Sequence, residues 1–113
     1  MNNSLIFALG EDGVLSIFDN VETIRQECEG IDVERGVWEF YDYTGSALKP
    51  KFYSPNFIKK HLFGIFGSVT SSQNFSLVPD KEELSLLKCL TNDTLLEKNF
   101  HFKDLGSVYE YLL

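Results

Sequence analysis

The chain has 113 residues, 43% of them hydrophobic and 14% aromatic, and a formal net charge of −7. That length supports a single domain over residues 1–113 with a real core, and the apolar content excludes intrinsic disorder. The acidity argues against sequence-independent binding of nucleic acid, whose backbone phosphates it repels.

In chain order, Leu5, Phe7 and Leu9 alternate, Glu11-Asp12-Gly13 supplies a turn, and Val14 to Phe18 resumes a strand. That is a hairpin signal, with Gly13 free to take positive φ. Asp19 and Glu22 have capping-box spacing for a helix over 20–29, with Val21, Ile24 and Cys28 on one face and Gly30 as its terminator. Ile31 to Gly36 reads as a short apolar-polar alternation closing in a turn. Trp38 to Asp42 is a strand by propensity. Its alternation puts Trp38, Phe40 and Asp42 on one face, towards the interior, and Glu39 and Tyr41 on the other.

Tyr43 to Ser46 turns the chain, and Leu48 to Tyr53 pairs back, with Pro50 marking an edge position or a strand start. Ser54-Pro55 predicts a short helix over 56–60. Alternation returns over 61–70, 70–74 is turn-like, and Phe75, Leu77 and Pro79 complete another hairpin. Asp80 and Glu83 repeat the capping-box spacing before a helical stripe at Leu84, Leu87 and Cys89-Leu90. An extended segment follows near 94–102, and Ser107-x-x-Glu110 opens a C-terminal helix. These elements predict an α+β domain: a largely antiparallel sheet built from hairpins, with two to four short helices.

Catalytic and metal-binding constellations are missing from the pattern. Gly64-x-x-Gly67 lacks the lysine and following helix of a phosphate loop, and His61 and His101 have no partners at ligand spacing. Cys28 and Cys89 read as free thiols, and although the pair could form a disulfide, nothing in the sequence demands one. No basic, apolar leader pattern or bilayer-length run is present, so a cytoplasmic protein with no membrane role is expected, and the sequons at Asn74 and Asn92 carry no weight. The expectation is therefore a non-enzyme with no catalytic residues, no cofactor and no metal.

The informative feature is where the charge lies. Residues 1–42 carry ten carboxylates against Arg25 and Arg35, whereas residues 43–113 carry seven against eight lysines. Six acids fall within sixteen residues: Glu27, Glu29, Asp32, Glu34, Glu39 and Asp42. Exposed charges of this kind usually contribute only solubility. Segregated as they are, they also favour a cationic partner. The candidate partner-binding residues are these six acids together with Tyr41, which alternates with Trp38, and Tyr43 at the turn. Trp38 is expected in the core.

The run from Glu29 to Asp42 (EGIDVERGVWEFYD), followed by Thr44-Gly45-Ser46-Ala47-Leu48, comes after a hairpin containing Phe7 and Glu11-Asp12-Gly13. Over residues 5–52 this arrangement resembles small bacterial immunity proteins of contact-dependent growth inhibition systems, above all those paired with a ribonuclease-A-like toxin domain. Residues beyond 52 match only in the order of elements and in a helix from Leu105 to Leu113. The resemblance implies a non-enzymatic inhibitor that binds a basic toxin domain encoded by a neighbouring gene, a nuclease, and covers its substrate groove. Two other readings compete: a small hydrolase with an acidic cleft, and a non-catalytic scaffold or regulatory subunit.

Overall fold

Phe7 and Ala8 are adjacent in one strand and both are fully buried, on opposite faces of it. This first strand, β1 (Ile6–Gly10), therefore has a core on each side. The computed structural model describes residues 3–28, 30–52, 57–60, 67–70 and 75–113. β1 pairs antiparallel with β2 (Val14–Phe18) through the expected turn, where Gly13 takes φ of 83°. Its other neighbour is β3 (Trp38–Tyr41), registered Phe7 to Tyr41 and Gly10 to Trp38. Next come β4 (Ala47–Phe52) and β7 (Phe75–Pro79), giving a six-stranded sheet in the order β7-β4-β3-β1-β2-β8. Only β8 (Leu95–Leu96) runs parallel to its neighbour, beside β2. The domain is α+β.

Helices cover both faces. On one side Ile6, Ala8, Phe18, Phe40 and Phe75 pack against Ile24 of α1 (Val21–Glu27), Cys28, and Val33 of α2 (Gly30–Glu34). On the other, Leu5, Phe7, Leu15, Tyr41 and Ala47 pack against Leu86 of α3 (Leu86–Cys89), Leu90, and Val108 of α4 (Leu105–Leu112). Phe7, Phe102 and Tyr111 form an aromatic group here, with ring centroids 5.3–6.2 Å apart. Burying one such ring contributes roughly 1.5–3 kcal/mol.

Several helix boundaries differ from expectation for local reasons. Asn20, not Asp19, caps α1, accepting from Thr23 N at 3.0 Å, while Asp19 pairs with His101 at 2.6 Å. Gly30 opens α2 rather than ending α1, and Val37 N returns to Asp32 O at 3.1 Å to close it. The 80–83 spacing does not cap a helix: Asp80 accepts from Glu82 N at 3.2 Å in a local turn, and α3 begins after Ser85. α4 is capped by Asp104, which accepts from Ser107 N at 2.8 Å, one turn earlier than the Ser107 pattern implied.

Residues 57–60 form a strand, β5 (Phe57–Lys60), in place of the expected helix, because they pair antiparallel with β6 (Gly67–Thr70). Residues 61–66 and 71–74 of the predicted alternation and turn lie outside the described residues. No helix among the described residues is long and apolar enough to cross a membrane.

Candidate functional site

β3 and β4 stay in register only at Phe40 with Leu48 and Tyr41 with Ala47. Beyond that point β4 continues against β7 alone, so Pro50 pairs with Leu77 and faces no registered residue of β3. The position suits proline, whose missing N–H would interrupt a fully paired ladder. Where the two strands part they leave a cleft of ≈ 210 Å³. Its wall takes Trp38, Phe40, Leu48 and Pro50, residues alternating to one face, together with Tyr41 and Ala47 from the other.

Four carboxylates line this cleft: Glu34 from the end of α2, Glu39 from β3, and Asp80 and Glu83 from the loop after β7. Lys49 is the one cation among its described lining residues. Glu39 is exposed, yet its Oε2 accepts a hydrogen bond of 2.9 Å from the hydroxyl of buried Tyr41. Burial, with Cys89 and Glu39 alongside, raises the Tyr41 phenol above the ordinary tyrosine range, so it stays a donor. A second depression shares Ala47, Asp80 and Glu83 with the first and adds Asp42. Trp38 also lines a third depression, on whose rim stand Asp12, Glu27 and Glu97.

The six acids of the sequence cluster thus separate. Glu34 and Glu39 meet at the cleft, and Asp42 reaches its neighbouring depression. Glu27 lies on the far side of Trp38. Asp32 is half-buried within α2, where with Glu27 it reinforces the effect of burial on Cys28, whose thiol is pushed up to about 11. Glu29 lies outside the described residues. Asp42 also has a structural duty, because one carboxylate oxygen accepts from Thr44 N, Thr44 Oγ1 and Ser46 N at 2.9, 2.5 and 3.0 Å. Asp80 and Glu83 were missed, being some forty residues from Glu39 in sequence, and only the β4–β7 pairing brings them near.

The aromatic assignments need correcting. Tyr41 was expected to face outwards, but it is only 1% exposed, because α3 and α4 cover the face opposite Trp38. Trp38 was expected in the core and is instead half-buried, one side against the α1–α2 core and the other lining the cleft. Tyr43 is half-buried against the α3–α4 core, and its carbonyl accepts from the Tyr111 hydroxyl at 2.6 Å.

Among the described residues no group of three or more His, Cys, Asp or Glu side chains is placed to hold a metal ion. No family model matches the sequence, and no curated protein or solved structure matches it.

Proposed function

We propose that this protein is an immunity protein that binds a cationic toxin domain, a ribonuclease encoded by a neighbouring gene, and neutralises it in the cytoplasm by covering its substrate groove. The observation that carries the reading is the convergence of Glu34, Glu39, Asp80 and Glu83 on one cleft with an aromatic wall. An RNA-cleaving enzyme needs a basic groove for phosphates. An acidic surface of matching shape occupies that groove without performing chemistry, and its charge accelerates encounter. Binding rather than turnover is the proposed activity, with no cofactor.

Co-expression with the basic domain of the adjacent gene tests this. A complex that survives purification at low salt, with loss of the domain's ribonuclease activity, is the expected result. Two stable proteins that do not associate would overturn it.

The concavity of the cleft favours one second reading, hydrolysis by a pair of its carboxylates.

A further inference from the structure

We infer that the groove between α1 and β8, floored by the outer half of β2, takes an extended basic segment of the partner. The inference rests on the cationic partner of the proposed function. It adds a second contact surface and the form of chain that fills it.

The groove starts from a strand face that α1 covers only in part. Val14, Ser16 and Phe18 alternate to the α1 side of β2; Phe18 is buried there, whereas Val14 and Ser16 stay half-exposed. Two depressions along this face share Ser16, Phe18, Glu27 and Glu97, so they form one trough. The Ser16 hydroxyl donates to Glu97 Oε2, which fixes the far wall on the same side of the sheet. β2 has five residues and runs roughly 17 Å, the length of an extended segment of similar size.

That wall carries exposed apolar side chains. Four large hydrophobic residues are exposed among the described ones, and two of them, Leu95 and Phe100, stand here. Phe100 is fully exposed although its neighbours are fixed. Asn99 Oδ1 accepts from the backbone N–H groups of His101 and Phe102, both at 2.8 Å, and the Phe102 ring packs 5.8 Å from that of Phe7. His101 Nε2 in turn lies 2.6 Å from Asp19 Oδ1. The Phe100 ring is thus held in solvent on a braced turn, where an aromatic anchors a partner at little entropic cost.

Charge decides what kind of segment fits. Glu27 on α1 and Glu97 on the opposite wall face the same trough, and Asp12 stands at its Trp38 end. Asp12 Oδ1 and Trp38 Cδ1 lie 2.6 and 3.5 Å from one point above Gly10, so acid and indole share a face there. Lys98 is the one lysine or arginine among the described lining residues. Glu27 also sits at the C-terminal end of α1, where the helix dipole disfavours a carboxylate, so its charge does not serve the helix. Long cationic side chains match both features: their methylenes lie on Val14, Leu95 and Trp38, and their charge meets Glu27, Glu97 and Asp12. Trp38 lines both this groove and the β3–β4 cleft, so one partner can span the two.

The probe is the blocked peptide acetyl-Lys-Leu-Lys-Leu-Lys-amide, added to isotope-labelled protein at low ionic strength and followed residue by residue through amide chemical shifts. Saturable shifts at Ser16, Glu27, Glu97 and Phe100 are expected, with acetyl-Glu-Leu-Glu-Leu-Glu-amide at least about tenfold weaker. Glu27→Lys and Phe100→Ala alter exposed side chains, so both variants should keep the wild-type spectrum away from the groove. Glu27→Lys should weaken the lysine peptide about tenfold, and Phe100→Ala roughly threefold or more. If reversal at Glu27 disturbs α1, Phe100→Ala carries the comparison.

No saturable shift, equal binding of the glutamate peptide, or shifts confined to Glu39 and Lys49 in the cleft would overturn the inference. Where the basic domain still binds in that case, the proposed function stands and only the groove falls. Peptide binding in the groove without any binding of the domain supports the groove and removes the proposed function.

Discussion

The hydroxyl of Tyr41, buried between the sheet and α3–α4, donates a hydrogen bond of 2.9 Å to the exposed carboxylate of Glu39. Adjacent positions of one face thus divide into core and rim, and the core residue orients the rim residue. Tyr41→Ala removes a side chain that packs among Phe7, Leu15, Ala47 and Leu86 and should cost about 3–5 kcal/mol. Tyr41→Phe keeps the packing, loses the hydrogen bond and should cost about 1 kcal/mol. Thermal unfolding of the two variants measures the difference, and equal melting temperatures would show that the ring is not core.

Trp38→Ala should show the opposite balance. The residue is half-buried and lines the cleft, so its loss should weaken binding of the basic partner by about 2 kcal/mol or more. Calorimetric titration against the partner, paired with a melt of each variant, tests this. A large fall in stability with unchanged affinity would return Trp38 to a purely structural role.

Much of the fold was legible because its signals are local. The Gly13 hairpin, the β3 strand at Trp38, the antiparallel return at Ala47 and the C-terminal helix all depend on neighbours in sequence. Two-sided burial was not legible in the same way. Strict alternation in Trp38-Glu39-Phe40-Tyr41 looks like one buried and one wet face, and only the docking of α3 and α4, from more than forty residues away, reverses the fate of Tyr41. The site divided along the same line. Glu34 and Glu39 were visible as part of an acidic run, whereas Asp80 and Glu83 join them only through the pairing of β4 with β7.

Gly45 tests how the second helical layer is attached. It takes φ of 87°, its carbonyl accepts from Leu86 N at 2.8 Å, and an added Cβ would lie 2.8 Å from Leu112 Cδ2. Gly45→Ala therefore combines left-handed strain, roughly 1–2 kcal/mol, with displacement of the Leu112 side chain. Chemical denaturation should show a loss of at least about 2 kcal/mol. A neutral result would mean that the turn does not anchor the helices.

Alkaline pH should destabilise the protein through Cys28. Burial first, then Glu27 and Asp32, push its thiol up to about 11 in the folded state, against an ordinary 9.0. Above pH 9 the unfolded chain releases this proton while the folded chain retains it, so stability is complete below about 9 and falls towards 11. The loss should reach at most about 3 kcal/mol. Tyr41, whose phenol is also raised, adds to it with the same sign. Unfolding measured between pH 8 and 11 should show the decline, and Cys28→Ala should flatten part of it. An identical slope in Cys28→Ala would assign the effect to other groups.

The most direct measurement is inhibition of the partner's ribonuclease activity by a variant in which Glu34, Glu39, Asp80 and Glu83 are all lysine. Glu34 and Glu83 are exposed, so each reversal there should cost well under about 1 kcal/mol in folding, while the loss of the Tyr41 acceptor at Glu39 adds about 1–3 kcal/mol. Reversal across a desolvated charge pair should cost about 2–5 kcal/mol in binding. The account predicts a variant that stays folded yet fails to inhibit at concentrations where the wild type is fully effective. Full inhibition by the folded variant would contradict it and place the partner on another surface.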